Sequence, residues 1–214
     1  MCNALWSFCY SVSKGVRYLE TWDLNPILDL GNSLYQNMGY SNQYLSFGEL
    51  PSSIIIDDFA IKVEKRGSVI RELTAQSNSF LRIDASADGL IFLAAGFGTS
   101  IVESNGIVYI FDSHSRDTNG MLHPQGTSVL LKFNSIVLAE QYLKQFYLFE
   151  LQNEMVFYEI EHFKFVLTDA ETEAIKRKFQ GEWKRQSNKD SNLVSPRKKR
   201  YAGLIEYQKR KRKG

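Results

Sequence analysis

Apolar residues recur along the chain in two periods, and the change from one to the other falls near Ser53. Ala4, Leu5, Phe8, Cys9 and Val12 stand at i, i+1, i+4, i+5 and i+8, one face of a helix over residues 1–12. A second helix is better marked. Asn25 suits its cap, Pro26 its first turn, and Ile27, Leu28, Leu34, Tyr35 and Met38 line one side. Gly39 then fits the left-handed residue that closes helices, and residues 40–53 read as loop. Beyond Ser53 the apolar runs shorten. Residues 54–56, 80–83 and 89–95 predict strands, with a helix over 69–77. Residues 99–102 and 107–111 flank Ser104-Asn-Gly106; Asn-Gly between two β-rich runs predicts a tight hairpin, since both turn residues take positive φ. A strand over 128–133, a helix over 137–147 and a strand over 155–167 follow. Helices first and mostly strands afterwards predict an α+β (α/β) domain over residues 1–168.

Past Thr168 the periodicity fades. Residues 170–183 suit one charged helix, and 186–195 form a polar linker. Arg197-Lys-Lys-Arg200 and Lys209-Arg-Lys-Arg-Lys213 are basic clusters separated by a segment with Tyr201 and Tyr207. The formal net charge of +2 hides this asymmetry: residues 176–214 carry 15 Lys/Arg against Glu182, Asp190 and Glu206, and the remainder 11 against 21 acids. An acidic body thus carries a basic tail over 169–214, whose composition predicts disorder. Such a run is either a solvated terminus or a nuclear-localisation and phosphate-contacting element, with residues 197–213 as a weak nucleic-acid contact. The two tyrosines would then stack on unpaired bases.

With 43% hydrophobic residues, wholesale disorder is excluded for the body. The longest apolar runs fall well short of the ~18 residues of a membrane span, and no signal-peptide pattern opens the chain. No membrane association and an intracellular site, nucleus or cytoplasm, are the expectations. The two cysteines, Cys2 and Cys9, would sit roughly 10 Å apart along a helix, beyond the ~7 Å reach of a disulfide. Free thiols fit that expectation.

One segment carries chemistry, Val108-Tyr-Ile-Phe-Asp112-Ser-His114-Ser-Arg116. On an extended chain Asp112 and His114 point to the same side, and a carboxylate beside an imidazole fixes its tautomer and stabilises the imidazolium. Arg116 can pair with Asp112, pair with Asp117 or remain solvated. A nucleophile must come from elsewhere. Cys2, at the first turn of the first helix, has its thiolate favoured by the helix dipole, whereas Cys9 lies deeper on the apolar face. His123 reads as a loop residue and His162 has no metal-binding partners in its neighbourhood. Gly96-Phe-Gly98 is too short for a phosphate loop and lacks a lysine. No cofactor or metal is expected.

Phe111-Asp-Ser-His-Ser-Arg-Asp-Thr-Asn-Gly120, followed by Gly126-Thr-Ser-Val-Leu-Leu-Lys-Phe133, resembles the herpesvirus large tegument protein deubiquitinase domain. It is more similar still to the cellular and mobile-element relatives of that domain in animal genomes. Upstream, Asn3-Ala-Leu-Trp-Ser-Phe8 is similar to the family's nucleophile helix. Asp23-Leu-Asn-Pro-Ile-Leu-Asp-Leu-Gly-Asn-Ser-Leu-Tyr35 and Tyr44-Leu-Ser-Phe-Gly-Glu-Leu-Pro51 are similar to the helix and loop after the nucleophile. The resemblance covers roughly residues 1–150. It implies a papain-like cysteine peptidase fold, with N-terminal helices packed on a mostly antiparallel sheet, that cleaves ubiquitin or ubiquitin-like conjugates. It carries Asp112 and His114 over as the Asp and His of a Cys–His–Asp triad. Aligned on Asn3-Ala-Leu5, the family's Gln-Cys falls ahead of Met1, with the cysteine one place before it. The resemblance therefore implies either an N-terminally truncated product or Cys2 as nucleophile after a shift in register. The alternative is an inactive peptidase-like binding module with a nucleic-acid-binding or nuclear-targeting tail.

Overall fold

The computed structural model describes residues 4–5, 24–39, 45–56 and 59–168. The chain separates into two units, Met1–Asp169 and Ala170–Gly214, and every described residue belongs to the first. Cys2, Cys9, the expected helix over 1–12 apart from Ala4 and Leu5, and the basic tail lie outside the described residues.

Helix α1 spans Leu24–Asn37, and Gly39 follows it at φ +79° with its N–H on the Gln36 carbonyl. Pro26 falls in its first turn as expected; Asn25 lies within that turn rather than capping it. The strands are β1 Ser53–Ile56, β2 Phe59–Thr74, β3 Gly89–Ala94, β4 Phe97–Ser104, β5 Ile107–Arg116, β6 Thr127–Phe133 and β7 Met155–Thr168. Helix α2, Ile136–Lys144, precedes β7 and runs on into a π-helical turn, Gln145–Glu150. The strands form one sheet in the order β1-β2-β7-β3-β4-β5-β6, and each neighbouring pair is antiparallel. Strand β7 thus enters between β2 and β3, so the sheet is joined only when the last strand is in place.

The sheet buries both faces, and alternation along its strands assigns each residue to one of them. Ile91, Phe111 and Phe163 face Leu24 and Ile27 of α1, together with Ala4 and Leu5. Leu90, Phe92, Val108 and Ile110 face Ala139, Tyr142, Leu143 and Phe146 of α2 and its π turn. The Asn105-Gly106 hairpin forms as expected, with φ of +55° and +76°, and joins β4 to β5 in register from Ser104↔Ile107 to Ser100↔Phe111.

Two expected elements are replaced. Residues 69–77 are not a helix: β2 runs through Thr74 and pairs with β7 almost throughout, from Ala60↔Thr168 to Thr74↔Met155. Val69 and Leu73, four residues apart, share a face in either period, and the strand of β7 beside them decides which forms. Residues 80–83 are not a strand. Phe80 and Leu81 enter the core from a connection, and the Leu81 N–H bonds the buried Glu140 carboxylate at 2.7 Å instead of a ladder carbonyl.

Candidate functional site

The site is built at the C-terminal end of β5. Val108 and Ile110 face α2, and Asp112 continues that face. His114 and Arg116 follow at intervals of two, the spacing that brings three side chains of a strand together. Pairing with β6 shifts register between Asp112 and Arg116, so the strand departs from a regular ladder where these polar groups converge.

Asp112 is 1% exposed, and its two oxygens serve different partners. Oδ1 accepts the His114 backbone N–H at 2.9 Å and lies 2.6 Å from His114 Nδ1. Oδ2 accepts from Arg116 Nε at 3.0 Å and Nη2 at 2.6 Å. Burial pushes the Asp112 carboxyl up, but the hydrogen bond from His114 and the Arg116 charge outweigh it, so the group ionises below the usual carboxylate range. An ionised carboxylate only accepts. Nδ1 therefore carries the proton, and a neutral His114 keeps its lone pair on Nε2. The His114 side chain is 36% exposed, so the buried carboxylate orients a ring that solvent still reaches.

Aromatic rings hold this trio. Phe97, opening β4, packs edge-on against the His114 ring with centroids 4.8 Å apart. The Arg116 guanidinium, fully buried, lies 5.1 Å from the Phe97 centroid and 3.8 Å from that of Phe146. The π turn supplies Phe146: its wider winding buries Phe146, Tyr147 and Leu148 in succession. On the other side of Arg116, Gly126 presses on its backbone; a Cβ there would run into the Arg116 carbonyl and lie 2.5 Å from its nitrogen. Loop 117–126 is shaped by Asp117, whose Oδ1 accepts the Asn119 and Met121 N–H groups, and by Ser115 Oγ donating to the His123 carbonyl at 2.6 Å. A groove of about 570 Å³ runs along edge strand β6, lined by Thr127–Leu131 with Leu24, Arg116 and His123.

Asp112 and His114 are thus brought together, and Arg116 takes the first of its three readings, pairing with Asp112. His123 is exposed, and its Nδ1 accepts the Gln125 N–H at 3.2 Å; His162 Nε2 lies 2.7 Å from the Arg82 carbonyl. Among the described residues no three His, Cys, Asp or Glu side chains form a metal cluster, and no helix is long and apolar enough to cross a membrane. The approach of Cys2 to His114 lies outside the described residues. Ala4 and Leu5 are helical and pack on the Phe111 face, whereas the neighbouring Asp112 looks to the other. The sequence reading missed Phe97, Phe146 and Gly126. Phe97 stands inside the dismissed Gly96-Phe-Gly98, and extending the Asp112/His114 alternation by two residues finds Arg116.

This mostly antiparallel seven-strand sheet with its flanking helices matches the fold of a papain-like viral ubiquitin protease. The solved ubiquitin-specific protease encoded by a murine cytomegalovirus tegument protein, in complex with a ubiquitin-based suicide substrate, shares it. The TM-score is 0.58 over 79% of this chain and 78% of that one, at 15% identity. The model of the family described as herpesvirus tegument protein, N-terminal conserved region, matches residues 1–167, and the chain belongs to that family. A search of curated proteins finds no match.

Proposed function

We propose that residues 1–168 act as a cysteine-peptidase domain on ubiquitin-type conjugates, hydrolysing (iso)peptide bonds at an extended C-terminal tail. The observation that carries this reading is the 2.6 Å Asp112–His114 contact, with a buried carboxylate behind and a solvent-reached ring in front. In the mechanism, His114 Nε2 takes the proton of a cysteine thiol, and the thiolate attacks the carbonyl carbon. Asp112 stabilises the imidazolium, which returns the proton to the departing amine. Water, deprotonated by the same nitrogen, then hydrolyses the thioester. Within this sequence Cys2 is the candidate thiol. The ubiquitin-based substrate held by the structural neighbour supports the substrate class, and the β6 edge offers the kind of surface that takes extended peptide. The test is covalent labelling by ubiquitin bearing a thiol-reactive C-terminus, with His114→Ala as the control.

The tail supports a second, separable role. The 15 Lys/Arg against three acids in residues 176–214 favour nuclear accumulation and weak, sequence-independent nucleic-acid binding. Should no thiol serve His114, the same domain binds ubiquitin without cleaving it, and labelling by the electrophilic probe separates the two.

A further inference from the structure

We propose that Arg116 is the positioning residue of this site: it holds the Asp112 carboxylate so that Oδ1 stays on His114 Nδ1, and thereby fixes which imidazole nitrogen faces the reaction. The inference rests on the peptidase reading for its use, not for its geometry.

The two oxygens of Asp112 are divided without overlap. Oδ2 is gripped at Nε and Nη2, two neighbouring donors of one rigid guanidinium, which fixes the carboxylate plane as well as its distance. Oδ1 is then left for His114 alone, ring and backbone. The grip is dry: both the Arg116 and Asp112 side chains are essentially without exposed surface, and the adjoining rings of Phe97 and Phe146 pack against the guanidinium. Phe97 also touches the His114 ring, so one aromatic side chain registers both ends of the trio. Among the described residues Arg116 Nη1 is buried without a hydrogen-bond partner, so the guanidinium makes its side-chain bonds to Asp112 through Nε and Nη2.

Without the Arg116 charge, burial acts on Asp112 with only His114 to oppose it, and a protonated carboxyl can donate where the carboxylate accepted. His114 would then lose its reason to keep the proton on Nδ1. The other titratable groups facing Asp112 are Tyr142 and Tyr147 of α2 and its π turn. Burial holds both far above the ordinary tyrosine range, so they are neutral and cannot replace Arg116. Asp117, on the loop after Arg116, ionises below the usual range and adds only like charge.

The tautomer is read by long-range ¹H–¹⁵N correlation on the full-length ¹⁵N-labelled chain at about pH 8, above the ordinary histidine pKa of about 6.5. His123 and His162 serve as internal references. In the wild type, His114 shows one tautomer with Nδ1 protonated; averaging between nitrogens, or a proton on Nε2, overturns the proposal with no variant needed. In Arg116→Met, His114 moves toward the Nε2–H form and the Asp112 carboxyl ¹³C titrates at higher pH than in the wild type. Arg116→Lys, which keeps charge but not the planar fork, and Phe146→Leu, which removes only a ring, give smaller displacements in the same direction. If Arg116→Met does not fold, these two decide, and an unchanged tautomer in every folded variant overturns the proposal. A correct tautomer in a chain that no ubiquitin probe labels refutes the peptidase reading alone; a labelled chain with an averaging His114 refutes this one alone.

Discussion

Phe97 meets His114 edge to face, with ring centroids 4.8 Å apart and planes inclined at 67°. The imidazole is therefore held by two groups, Asp112 at Nδ1 and the Phe97 ring in a T-shaped contact. Phe97→Leu removes one of these and leaves the polar groups intact. An aromatic pair contributes about 0.5–1.5 kcal/mol beyond its buried area, so labelling by the ubiquitin probe should slow by up to roughly tenfold. A fall in melting temperature with an unchanged labelling rate would show that Phe97 serves the core and not the histidine.

Asp112 makes the fold sensitive to acid. Its carboxyl ionises lower in the folded chain than in the unfolded one, so its contribution is complete above the unfolded value of about 3.9. It is lost as pH falls from there through the depressed folded value. Asp112→Ala leaves the Arg116 guanidinium buried without its partner, a change that costs about 3–5 kcal/mol. Urea unfolding at pH 7 and pH 3 checks both statements: the variant should be much weaker at pH 7, and the gap should narrow at pH 3. A constant gap would mean that Asp112 does not titrate with folding.

Gly126 has no room for a methyl group, because the obstacle is the Arg116 main chain and not a flexible side chain. Gly126→Ala should lower stability by about 1–3 kcal/mol, or more if β6 cannot shift. It should also displace Arg116, so that the His114 ring resonances move. Wild-type stability and an unmoved His114 would contradict the packing described.

The tail is tested by salt. Deleting residues 197–214 should abolish nuclear accumulation and nucleic-acid binding while leaving the melting temperature of the remaining chain unchanged. Binding by the full chain should fall steeply with ionic strength, as counterion release requires. A truncated chain that still enters the nucleus and binds with the same salt slope would refute this role.

How far the fold was legible depends on which residues speak locally. Asn105-Gly106 announces its hairpin because two adjacent positive-φ positions leave few alternatives, and Pro26 with Gly39 brackets α1 for similar reasons. Residues 69–77 misled because Val69 and Leu73 satisfy both periods. Their partner, β7, lies some 85 residues on, and nothing within a local window reveals it. Phe80 and Leu81 misled for a related cause, an apolar run buried by a side-chain carboxylate from α2 rather than by a ladder.

At the site, Asp112 and His114 were legible because their relation is local, two residues on one strand. Phe97 and Phe146 were not, since their contacts with β5 come from β4 and from a π turn, and the turn itself leaves no period in the sequence. Arg116 stands between the two cases. Its spacing was visible, but only the register shift beside β6 and the rings around it turn a charged residue at a strand end into a buried one.

The central claim is that Asp112 and His114 serve a thiol that attacks ubiquitin conjugates. Its most direct measurement is intact-mass detection of the adduct with a ubiquitin probe carrying a thiol-reactive C-terminus, on the chain as it stands and on a form with Gln-Cys placed ahead of Met1. One ubiquitin per chain is expected in the extended form, and a weaker adduct, on Cys2, in the chain as it stands. Both should be lost in His114→Ala and kept in Cys9→Ala. No adduct on either folded form, or labelling that His114→Ala leaves untouched, would contradict it.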